Sequence, residues 1–159
     1  MTQKFEITEL EAQPIVGIRL TTKMDETLSQ TMGQLFGEVM GYLGESGQAP
    51  AGMPLSIYHS MDETMQGSGE VDLECGMPVA APMEGRGRVA AGELPACKAA
   101  TATHMGPYDD LGGTWMALRG WVESQGLEPV GAAWEIYVTD PGAEPDQSKW
   151  RTDIFIPVK

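Results

Sequence analysis

Gly126-Leu-Glu-Pro-Val-Gly-Ala-Ala-Trp-Glu-Ile-Tyr137 reads as a helix stop, a turn and a strand. Aromatic and β-branched residues follow a Pro/Gly turn signal, which is strand composition. Side chains on a strand alternate between faces. Trp134, Ile136 and Val138 therefore share one face, and Glu135 and Tyr137 the other. If the tryptophan face packs on helices, the opposite face carries one acid beside a phenol. A buried lone carboxylate is costly, so such a group is solvated, paired or placed to meet a cation.

The same pattern occurs earlier, as Gly47-Gln-Ala-Pro-Ala-Gly-Met-Pro-Leu-Ser-Ile-Tyr58. Gly47, Pro50, Gly52, Ile57 and Tyr58 fall on Gly126, Pro129, Gly131, Ile136 and Tyr137, each pair 79 positions apart. The offset also sets Pro78-Val79 on Pro157-Val158, and Phe36, Val39 and Tyr42 on Trp115, Leu118 and Trp121. Self-similarity of this kind points to a duplication. Two copies are too few for a solenoid. They predict pseudo-twofold halves, about residues 1–80 and 88–159, with a cleft between them.

Working outward, Phe5, Ile7 and Ile15–Leu20 read as strand, broken at Pro14. A helix is predicted from Lys23–Thr27, with Asp25 as its N-cap. Its apolar stripe is Leu28, Met32, Leu35, Val39 and Tyr42, and Gly47 ends it. Strands at 54–59 and 70–79 flank a polar turn at 60–69. A short connection, 80–87, leads to strand segments at 88–91 and 96–103. His104-Met-Gly-Pro-Tyr108 enters the second helix, where Pro107 fits the first turn and Asp109 and Asp110 favour the positive end. Leu111, Trp115, Leu118 and Val122 form its stripe, which makes Trp115 and Trp121 core residues. The Trp134 strand, a loop at 140–149 and a last strand at 150–158 complete the chain. Each half is β-α-β-β, so the expected class is α+β: antiparallel sheet, two helices on one side, and a ligand cleft on the other. Ser56 in one half stands where Glu135 stands in the other, so the duplicated scaffold offers one acid, suited to one positive charge.

The 159 residues suit a single domain, and 42% hydrophobic content suffices for a core. No apolar run approaches a membrane span, and the N-terminal residues lack a signal-peptide core, so a cytoplasmic location is expected. The formal charge of −13 argues against direct nucleic-acid binding or an anionic membrane surface. Cys75 and Cys97 form no disulfide framework or zinc motif and read as core. No metal site or cofactor is expected. His59 and His104 have no motif that would make them ligands or bases. The 11 methionines suit either core filling or an adaptable apolar site.

Gly106-Pro107-Tyr108, Gly126-Leu-Glu-Pro129, Trp134-Glu-Ile-Tyr137, Asp140-Pro and Trp150-Arg-Thr-Asp-Ile-Phe-Ile-Pro157 together resemble the GyrI-like small-molecule-binding domain family. This family is also called the AraC-type or BmrR-like effector-binding domain, and its fold is related to the SOUL group. The resemblance covers nearly the whole chain, most strongly residues 95–158. It implies an aromatic cleft that binds lipophilic organic cations, with Glu135 as the acid at its base. Tyr58 and Tyr137 would be the aromatic walls and Phe155 a further lining residue. Tyr108 either covers the cleft or caps the core. No helix-turn-helix precedes the first strand, so a standalone domain is expected, with any regulatory role needing a protein partner. Two alternatives stand beside drug or toxin sensing and sequestration. One is a hydrolase of strained, cyclopropanoid-type electrophiles using Glu135 and Tyr137 as acid and base. The other is an acidic protein-interaction module such as a gyrase modulator. Arg19 and Arg151 are the arginines considered for neutralising Glu135.

Overall fold

In the computed structural model, residues 4–23, 27–61, 70–140 and 142–159 are described. Asp25 and most of the polar turn at 60–69 lie outside them. The strands are β1 (Phe5–Leu10), β2 (Gln13–Lys23), β3 (Leu55–Met61), β4 (Glu70–Pro78), β5 (Ala90–Leu94), β6 (Cys97–Met105), β7 (Ala133–Tyr137) and β8 (Arg151–Pro157). The helices are α1 (Leu28–Glu45) and α2 (Leu111–Ser124). The α+β class and both β-α-β-β halves are as expected.

The chain forms two compact units, one of them Ala12–Pro95. In it the antiparallel order is β3-β4-β2-β5. Leu35, Val39 and Leu43 recur every fourth residue along α1. They bury against Val16 and Ile18 of β2 and Val71, Leu73 and Cys75 of β4. The stripe expected from Leu28 to Tyr42 is present, with Leu28, Met32 and Tyr42 at its margins.

The other unit runs from Ala96 to the C-terminus and takes β1 as its outer strand, giving β1-β6-β8-β7. Leu111, Leu118 and Val122 of α2 pack with Ala100 and Ala102 of β6 and Ile154 and Ile156 of β8. Sequence repeat and compact unit thus differ at one strand each. β1 opens the first half but pairs with β6 of the second, and β5 opens the second half but pairs with β2 of the first.

The duplication extends to individual hydrogen bonds. Gly47 and Gly126, at φ 72° and 71°, end the two helices. Gly47 N–H donates to Gly44 and Gln48 N–H to Leu43, while Gly126 N–H donates to Glu123 and Leu127 N–H to Val122. Both are Schellman caps, in which a left-handed glycine turns the chain out of the helix. Ala51 N–H then donates to Pro78 O, and Val130 N–H to Pro157 O, again 79 apart. The offset changes before the helices. Val79 N–H donates to Pro14 O, whereas Val158 N–H donates to Lys98 O, so the first strands are 84 apart. The stretch from Pro14 to Gly47 is therefore five residues longer than that from Lys98 to Gly126, chiefly because β2 and α1, of 11 and 18 residues, are longer than β6 and α2, of 9 and 14.

Candidate functional site

Glu135 and Tyr137 stand on β7, two residues apart and so on one face. That face bears the helix, not the opposite surface expected from the sequence. Glu135 pairs with Ile154 of β8, which pairs with Ala102 of β6, and both belong to the core beneath α2. Trp134 occupies the other face, buried and stacked on Phe155 with ring centroids 5.7 Å apart and planes 19° apart. Phe155 therefore lies on the face away from Glu135. The large tryptophan does not meet the helix; it is buried against the phenylalanine ring on the opposite face.

Glu135 is 1% exposed. Its Oε1 accepts a hydrogen bond from Tyr137 Oη at 2.6 Å, and its Oε2 accepts from Trp115 Nε1 of α2 at 2.8 Å. A donor on each oxygen suits an ionised carboxylate, which only accepts. Trp115, read from spacing as core, is thus a polar partner of the acid. Hydropathy spacing registers the indole as apolar surface and is silent about its N–H.

The Tyr108 ring meets Tyr137 edge-on, with centroids 5.7 Å apart and planes 67° apart. Its other neighbour is Trp150, at 5.1 Å. Tyr108 lies in a short turn, Tyr108–Asp110, between Pro107 and α2. Two bonds fasten this segment. Gly106 N–H donates to Trp150 O at 2.8 Å, and His104 Nε2 lies 3.0 Å from Pro107 O. A carbonyl only accepts, so Nε2 carries the proton. His104 Nδ1 then meets Thr114 Oγ1 at 2.7 Å. His104 is consequently a buried structural latch. Tyr108 is 37% exposed. Burial first, then the negative charges of Glu135 and Asp140, push its hydroxyl above the usual tyrosine range.

Tyr58 lies in the other unit, at the position equivalent to Tyr137, packed against that unit's core. Ser56, the counterpart of Glu135, is buried with its Oγ 3.7 Å from Cys75 Sγ. Both arginines considered as partners of Glu135 have acids of their own. Arg19 donates to Asp72 at 3.0 and 2.8 Å, and Arg151 to Asp153 at 3.0 and 3.1 Å. Each pairing raises the arginine's affinity for its proton. His59 Nε2 lies 2.8 Å from Glu74 Oε1. Cys75 is buried, and burial pushes the Cys97 thiol up. Among the described residues no three His, Cys, Asp or Glu side chains group as metal ligands, and no helix is long and apolar enough to cross a membrane.

The fold is a duplicated β-α-β-β scaffold whose second copy buries one acid between two aromatic donors. The GyrI-like small molecule binding domain matches residues 3–159, and the chain belongs to that family. No curated protein matches. The fold is similar to the C-terminal domain of EcmrR, with TM-score 0.82 and 20% identity over 100% of this chain and 99% of that one. In the cryo-EM structure of EcmrR with DNA the TM-score is 0.85 at 20% identity, covering 99% of this chain but only 57% of the EcmrR chain. It is also similar to SAV2435 solved with tetraphenylphosphonium, with TM-score 0.66, 12% identity, and 98% and 94% coverage. A hydrolase encoded by lin2189 from Listeria innocua gives TM-score 0.64, 14% identity, and 98% and 92% coverage.

Proposed function

We propose that this domain binds lipophilic organic cations in the cytoplasm, for drug or toxin sensing or sequestration, with Glu135 as the charged anchor. The observation that carries this reading is the Glu135 carboxylate, 1% exposed and held on both oxygens by the side chains of Trp115 and Tyr137. A cation brought next to it gains charge pairing where water screens poorly. At 4 Å and an effective dielectric of 20 that attraction is about 4 kcal/mol. Tyr137 and Tyr108 add ring faces, each worth roughly 0.5–2 kcal/mol to a cation. The family membership supports a small-molecule ligand. SAV2435, bound to tetraphenylphosphonium, shows that one domain of this fold accepts such a cation.

The test is a titration with tetraphenylphosphonium and with neutral triphenylphosphine oxide. Glu135→Gln should weaken the cation by roughly tenfold or more, one third of the pairing energy above. The neutral compound should change by less than about threefold, since apolar burial supplies its affinity. Equal losses for both would remove the charged anchor.

The bond of 2.6 Å between Tyr137 Oη and Glu135 Oε1 favours a second reading. A phenol and a carboxylate in contact can deliver and remove a proton, as hydrolysis of a strained electrophile requires. Turnover lost in both Glu135→Gln and Tyr137→Phe would choose catalysis. Stoichiometric binding without product would choose the first reading.

A further inference from the structure

Thr152 of β8 is completely buried, and among the described residues its Oγ1 has no hydrogen-bond partner. The strand register sets it between Tyr137 of β7 and His104 of β6. Residues directly opposite in an antiparallel pair share a face, so Thr152 belongs to the row of Tyr137 and His104. That is also the face of Glu135. Its neighbours in the row are satisfied: Tyr137 bonds Glu135, and His104 bonds Thr114 and Pro107. A buried hydroxyl without a partner forfeits the bonds it made to water.

The fold does not require this hydroxyl. The position 79 residues earlier is Leu73, fully buried in the other unit's core. An apolar side chain therefore fills the same place in the duplicated scaffold. A native protein that keeps an unsatisfied polar group beside its candidate ligand anchor invites an outside partner for it.

We propose that Thr152 is a specificity-determining contact, whose hydroxyl accepts a hydrogen bond from the N–H of a bound cation. The proposal rests on the cation-binding reading above and narrows it. The favoured ligands are protonated amines and related N–H cations rather than cations whose charge is enclosed by hydrocarbon. Thr152 is sealed from solvent, so the ligand reaches it by displacing the cover beside Tyr137, where the half-exposed Tyr108 ring stands.

The test uses a matched pair, protonated dibenzylmethylamine and quaternary dibenzyldimethylammonium, which differ by one N–H. Glu135 also favours an N–H donor, so the preference of the unmodified protein decides nothing by itself. The change on substitution decides. Thr152→Val keeps the shape and removes the hydroxyl. It should reduce the preference for the N–H cation by roughly fivefold, the worth of one hydrogen bond, and leave the quaternary cation within about twofold. Thr152→Ser should keep the preference. Thermal unfolding of Thr152→Val without ligand should be unchanged or shifted upward, because an unsatisfied group has been removed. A preference indifferent to Thr152→Val, or a fall in melting temperature showing that the fold uses the hydroxyl, overturns the proposal while the Glu135 reading stands. Failure of both cations to bind overturns the two together.

Discussion

The two halves share helix caps, loop hydrogen bonds and strand order, and each has an apolar core, yet only one buries a carboxylate. Under α1 the equivalent positions are Phe36, Ser56 and Leu73. Under α2 they are Trp115, Glu135 and Thr152. Tyr58 and Tyr137 are common to both. Near the helix start, Leu35 stands where Thr114 bonds His104. The first half therefore shows what the scaffold needs to fold. The second shows what has been added, and the additions gather around one carboxylate. A duplicated architecture carries its own control: a feature found in both halves belongs to folding, and a polar feature found in one is a candidate for function.

The comparison is broken most severely by putting the acid into the other half. Ser56→Glu would bury a carboxylate where the equivalent of Trp115 is Phe36, a side chain without an N–H to donate. Tyr58 stands where Tyr137 donates, but the second oxygen would lack its indole, and removing one partner of a buried charge costs about 3–5 kcal/mol, a large part of the stability of a domain this size. Urea unfolding should show a loss in that range. A loss below about 1 kcal/mol would mean that the first half already accommodates an anion, and the asymmetry would lose its meaning.

Next in size is the reverse exchange. Trp115→Phe leaves Glu135 Oε2 without its indole donor, and should cost about 1–3 kcal/mol. Adding Glu135→Ser recreates the pair found in the first half, Phe36 with Ser56. The double variant should then be more stable than the sum of the single losses predicts, because neighbours that share a bond are not additive. Strict additivity in the same unfolding measurement would show that the indole and the carboxylate do not act as a unit.

The duplication, both glycine caps and the helical stripes were legible because they depend on local patterns: fixed spacing, left-handed turns, burial every third or fourth residue. The pairing of Glu135 with Tyr137 was legible from strand alternation. Alternation says which residues share a face but not which face the helix covers, so the expected face for Glu135 differs from the one observed. Trp115 escaped because its spacing matches a core position. Thr152 was hidden more deeply, since nothing local reveals that a hydroxyl in a strand lacks a partner. The exchange of β1 and β5 between units is a long-range pairing, and the five-residue shift between the first strands and the helix ends interrupts the repeat on that side.

The smallest effect checks the shared part of the comparison. Gly41 of α1 and Gly120 of α2 are 79 apart and both exposed, and a Cβ added at either meets nothing within 4 Å. Glycine inside a helix costs roughly 0.5–1 kcal/mol relative to alanine through its greater freedom in the unfolded chain. Gly41→Ala and Gly120→Ala should therefore each stabilise the protein by about that amount, and by similar amounts, since each sits at the same place on its helix. Calorimetric unfolding would register an upward shift of a few degrees for each. Cation affinity should not change in either, because neither residue touches the acid or its donors. Equal responses here, beside the losses expected at Ser56 and Trp115, would separate the shared scaffold from the polar features found in one copy of it. A destabilising alanine at Gly120 alone would show that the helix over Glu135 needs its glycine for the site, and the division between scaffold and addition would have to be redrawn to include the backbone of α2.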